Sequence, residues 1–157
     1  MERNKGVRMS IPAHLRKVKD TESNAKSNVI DACKKLYIHA VKLCSAKKVQ
    51  TLPTYFLDLA DTIVEESLEI YQYCFRANSI PFYHGKISEE NYNDRVACII
   101  EAMRLCSDLQ GLITLGKTSF RWRDRQIEYW TGIIISTREM ISNWYSWTIR
   151  EYKGQES

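Results

Sequence analysis

Three histidines, His14, His39 and His84, and five cysteines, Cys33, Cys44, Cys74, Cys98 and Cys106, are the side chains best suited to hold a metal or act as nucleophiles. A di-metal carboxylate site in a helical bundle needs Glu-x-x-His on two helices and further inward glutamates. Here no histidine follows a glutamate by three positions, and no His-x-x-x-His pair occurs. The Cys-x-x-Cys-His signature of a covalently attached haem is absent. Leu115-Gly116-Lys117-Thr118-Ser119 resembles the end of a phosphate-cradling loop but lacks the earlier glycine and the preceding strand, so it reads as a helix–helix turn. Cys44 and His39 stand five apart on one helical stretch, which points them to divergent faces. The cysteine count is odd and no Cys-x-x-Cys spacing occurs, the pattern of buried free thiols in a reducing cytoplasm. The expectation is a binding module with no catalytic residue, metal or cofactor.

Two basic constellations could bind. The first comprises Arg16 and Lys17 in the N-terminal stretch and Lys34, Lys35 and Lys42 further along, with Lys35 and Lys42 seven apart on one helical face. Such a stripe neutralises phosphates and gains affinity from released counterions without reading sequence. The second is Lys117, Arg121, Arg123 and Arg125 around Trp122. Lys117, Arg121 and Arg125 are expected along the first turns of a helix, where cations oppose the dipole and an anionic partner would offset the cost. Arginine and tryptophan also stack on unpaired bases. Trp144, Tyr145 and Trp147 crowd the end of the chain. Tyr145 and Trp147 cannot both face inward with Trp144, so surplus aromatic surface and an interface are expected there.

The elements that carry these side chains follow from periodicity. The chain has 157 residues, 44% hydrophobic and 27% charged, with only 6 Gly and 3 Pro. That suits one domain with a real core and argues against disorder and a turn-rich β fold. It has no apolar run of about 18 residues, the length a membrane span needs, and its polar beginning does not read as a secretory signal. Residues 1–23 lack a sustained apolar face and read as a flexible basic arm, followed by one domain over residues 24–157.

Helices are expected at about 24–47, 54–77, 88–115 and 118–152. Leu52-Pro53 breaks the first from the second, Ser88 caps the third, and Gly116 ends it. Each carries one apolar stripe, such as Val29, Cys33, Leu36, Ala40 and Leu43. Four such helices with short links predict an all-α, antiparallel up-down-up-down four-helix bundle. Charge is polarised along it: residues 1–50 carry +8, residues 51–115 carry −6 and residues 116–157 carry +2. A basic front and an acidic middle suit an anionic partner, contact between subunits, or both.

The arrangement resembles the four-helix bundle family that contains the accessory variability proteins of diversity-generating retroelements and the rRNA intervening-sequence bundle proteins. The likeness covers roughly residues 29–152. It rests on the Leu52-Pro53 break, Arg76-Ala77-Asn78 ending the second helix, Arg95 in the third, Tyr129-Trp130, and Ile141-Ser142-Asn143-Trp144. The resemblance implies a non-enzymatic accessory of a reverse transcriptase that forms a pentameric ring and binds the enzyme and template RNA during mutagenic cDNA synthesis. It implies RNA contact through Arg121 and Arg125 and partner or subunit contact through Arg76 and Arg95; Trp122, Tyr145 and Trp147 are expected at a partner or subunit interface from their own aromatic surface. A protein-only scaffold without nucleic-acid binding is the alternative.

Overall fold

The residue before a proline is driven out of the helical region, and Leu52-Pro53 accordingly separates two helical stretches. In the computed structural model, which describes residues 13–82 and 85–155 and side chains from residue 28 onward, the order is α1 (Ala13–Cys44), α2 (Lys47–Gln50), α3 (Thr54–Ser79), α4 (Glu89–Phe120) and α5 (Asp124–Gln155). Among the described residues there is no strand, and no helix is long and apolar enough to cross a membrane. α1 packs on α3 and α5, and α4 packs on α3 and α5, so the four long helices form a closed set of neighbours.

Their stripes meet in one core. Val29, Cys33, Leu36 and Ala40 of α1 join Ile63, Ile70 and Cys74 of α3, Ile99, Leu109 and Ile113 of α4, and Trp130, Ile134, Ile141 and Trp144 of α5. Burying each large aliphatic or aromatic side chain contributes about 1.5–3 kcal/mol. Buried hydroxyls satisfy themselves locally: Ser67, Thr137 and Thr148 each donate to the carbonyl four residues earlier.

Several expectations are corrected. α1 begins at Ala13, so residues 13–23, expected in the arm, are helical; residues 1–12 lie outside the described residues. α1 ends at Cys44, and Lys47 and Lys48 belong to the separate turn α2. The Ser88 cap is present, its hydroxyl accepting from the Asn91 amide at 3.1 Å.

Gly116 does not end the third long helix. It lies buried inside α4, and a Cβ there would stand 2.5 Å from the Trp122 ring. The glycine lets that ring approach the helix backbone. The left-handed position past the helix end, which a glycine would occupy most easily, is taken by Arg121 at φ 53°. Trp122 is therefore core, not interface, and α5 starts only at Asp124.

At the opposite end of α4, Arg95 is fully buried, contrary to the surface role expected of it. Its guanidinium carbon lies 5.1, 5.2 and 5.7 Å from the ring centroids of Phe82, Trp144 and Trp147, and Nη1 donates to the Ile80 carbonyl at 3.4 Å. The aromatic surplus at the end of α5 is thus used inside the molecule. Trp147 is buried in caging the cation, and Tyr145 packs half-buried against the core. Gln155 closes the same end, accepting from the Ile87 amide at 2.8 Å and donating to the Ile87 carbonyl at 2.9 Å.

Candidate nucleic-acid interface

The spacing of Lys34, Lys35, Ile38 and Lys42 places them on the arc of α1 that the core stripe leaves over, and all four are exposed. α5 runs beside that arc. Lys35 Nζ sits 5.8 Å from the centroid of the Tyr129 ring, a cation–π contact. His39 lies edge-on to Tyr129 at 5.2 Å and to Trp130 at 5.3 Å. Burial, reinforced by Lys42 and Lys35, holds the His39 imidazole below its ordinary pKa. Its Nε2 is buried without a hydrogen-bond partner among the described residues.

From Trp130 a chain of rings leads to the second basic constellation. Trp130 meets Trp122 at 5.1 Å, Trp122 meets Phe120 at 4.7 Å, and Phe120 meets Phe56 at 6.4 Å. The α4–α5 corner carrying Arg121, Arg123 and Arg125 therefore sits at the same end of the molecule as Lys35 and Lys42. All three arginines are exposed. Two segments about eighty positions apart in sequence are joined by one aromatic cluster.

The corner differs from expectation in its details. Lys117 belongs to the last turn of α4, where a cation complements the dipole instead of opposing it. Its Nζ is paired with Asp124 at 2.6 Å, which holds that carboxyl below its usual range. Lys117, Arg121 and Arg125 thus do not form one stripe on one helix. The Arg123 amide donates to Gln126 Oε1 at 3.1 Å, capping the start of α5.

Other expected residues fall elsewhere. Arg16 and Lys17 lie in α1 but about 27 Å along the helix from Lys35, so they are not part of this end. Arg76 is exposed beside Tyr73 at 5.3 Å, on α3. Arg95, Trp122 and Trp147 are internal, as described above.

The α1–α5 seam is open. One section of the groove, about 510 Å³, is lined by residues including Asp31, Ala32, Lys35, Tyr129, Gly132 and Ile133. An adjoining section of about 460 Å³ adds Lys34, Ile38, His39 and Lys42. Tyr129 is 53% exposed and Ile38 64%, which leaves apolar surface between lysines. Gly132 sits in mid-helix at a cost of about 1 kcal/mol relative to alanine, yet nothing within 4 Å would meet a Cβ there. Ile38 and Gly132 escaped the sequence reading. The signal for Ile38 was its position off the core stripe and in step with Lys34, Lys35 and Lys42; Gly132 gave none without its neighbours.

The acids gather across the bundle. Glu66 stands close to Glu69, Asp108 and Arg104, while Arg104 pairs with Glu101 and, at 2.8 Å, with Asp108. This α3–α4 seam is opposite the α1–α5 seam in the closed set of helices. Burial, with Asp108 and Glu69 nearby, raises the Glu66 carboxyl above its ordinary pKa.

Among the described residues no three of His, Cys, Asp and Glu converge as a metal site. Cys44 is buried, its thiol pushed up to about 12 by burial and by Asp61, which keeps it protonated near neutrality. No protein-family model, curated protein or solved structure matches the chain.

Proposed function

We propose that the chain is a non-enzymatic accessory protein of a diversity-generating retroelement, binding template RNA and a reverse transcriptase in support of mutagenic cDNA synthesis. The observation that carries the RNA half is the convergence of Lys34, Lys35 and Lys42 with Arg121, Arg123 and Arg125 about one aromatic cluster. Clustered cations beside an exposed ring suit a polyanion with stackable bases. The reverse-transcriptase half rests on the family resemblance alone.

The reading includes an antiparallel up-down-up-down course of the four long helices, supported by their short links and by the run of α5 alongside α1. It also includes self-association into a ring of five. The basic α1–α5 side and the acidic α3–α4 side lie on different flanks, and a head-to-tail contact of unlike faces closes into a ring when the rotation between subunits allows it.

Co-purification tests both halves. The chain is expected to retain template RNA and a neighbouring reverse transcriptase, with the RNA released by salt. Retention of a protein partner with no affinity for RNA after nuclease treatment would instead establish the protein-only scaffold.

A further inference from the structure

The α1–α5 groove contains features that a purely electrostatic RNA surface does not need. Duplex RNA offers a protein phosphates and 2′-hydroxyls, and its base faces are stacked away. A convex stripe of lysines would suffice for it. Here the lysines share an open groove with Ile38, Tyr129, Ile133 and Gly132. Gly132 has no steric reason within the chain, because a Cβ would meet nothing within 4 Å. Gly116 is the contrast, since its Cβ would strike Trp122. Gly132 leaves the groove beside Tyr129 without a side chain.

Two carboxylates, Asp31 and Glu128, also line the groove. They repel phosphate, so a backbone laid against this part of the groove is unfavourable. Carboxylates accept hydrogen bonds from the exocyclic amino groups of bases. Phosphates at the Lys34, Lys35 and Lys42 rim, bases turned inward against Tyr129, and amino groups directed to the two acids satisfy every charged group that faces the groove.

Building on the RNA reading above, the geometry points to this groove as a site for unpaired, amino-bearing bases of single-stranded RNA. The test is fluorescence anisotropy of the full chain with rC12, rU12 and a mixed-sequence 12-base-pair RNA duplex at one salt concentration. The rC12 strand is expected to bind at least about fivefold more tightly than rU12, because uracil has no exocyclic amino group. It is also expected to bind more tightly than the duplex. Tyr129→Ala should weaken rC12 by about fivefold or more. Gly132→Leu, at an exposed helical position, should block it with helix content unchanged by circular dichroism. Asp31→Asn with Glu128→Gln should erase the difference between rC12 and rU12. Equal affinity for all three RNAs, or a Gly132→Leu variant that binds as the parent does, overturns the groove while leaving RNA binding intact. Failure to bind any of the three overturns the RNA reading itself, and the groove with it.

Discussion

His39 is an imidazole whose ring is wedged against Tyr129 and Trp130 while Lys35 and Lys42 stand nearby. Its folded pKa lies below the ordinary 6.5, chiefly from burial, so the unfolded chain binds more protons between the two values. The stability contributed by neutral His39 is complete above pH 6.5 and is lost as pH falls from 6.5 toward the folded value. Urea unfolding at stepped pH should show this decline in the parent and a flatter profile for His39→Phe, which keeps an aromatic ring without the proton. Glu66 works in the other direction. Its pKa is raised, so ionisation is unfavourable in the folded protein and stability is lost as pH rises through the folded value. Glu66→Gln should raise the urea midpoint at pH 7, and the gain should vanish below pH 4.5, where the unfolded carboxyl is also protonated. Neither shift was legible in the sequence, since its main cause is burial, which for His39 comes from packing against Tyr129 and Trp130 of α5.

Among the elements, the α4–α5 corner concentrates the local strain. Gly116→Ala forces a Cβ to within 2.5 Å of the Trp122 ring and should cost about 1–3 kcal/mol by overpacking. Arg121→Gly should stabilise by about 1 kcal/mol by relieving a left-handed residue, while removing one of the exposed cations. Thermal unfolding of the two variants reads both signs. The same corner shows what periodicity could reveal. The stripe of Val29, Cys33, Leu36 and Ala40, the Pro53 break and the Ser88 cap were visible because each depends on neighbours within a turn. Gly116 misled because a glycine that ends a helix and one that admits a ring are identical in sequence. Trp122, Trp147 and Arg95 misled for a related reason: their burial depends on partners about 8 to 65 positions away, including Trp130, Phe82 and Trp144. Of the site, the lysines and arginines were legible; their meeting at one end, through Trp130 and Trp122, was a property of the fold.

For the molecule as a whole, a formal charge of +4 conceals two unlike sides. The α1–α5 side presents Lys34, Lys35, Lys42 and the corner arginines, and the α3–α4 side presents Glu66, Glu69, Glu101 and Asp108 around Arg104. Head-to-tail contact between such sides should make the assembly salt-sensitive. Light scattering is expected to give a closed oligomer near five subunits at low salt, and a strict monomer at every concentration would contradict the ring. The proposal at the centre remains RNA binding by the basic end, and its most direct test is RNA affinity as a function of salt. For single-stranded RNA, log K should fall linearly with log salt at about −0.7 per phosphate neutralised. The triple variant Lys35→Glu, Lys42→Glu, Arg121→Glu should lose binding with its helix content retained. Absence of binding at low salt, affinity indifferent to salt, or a triple variant that binds as well as the parent would each contradict it.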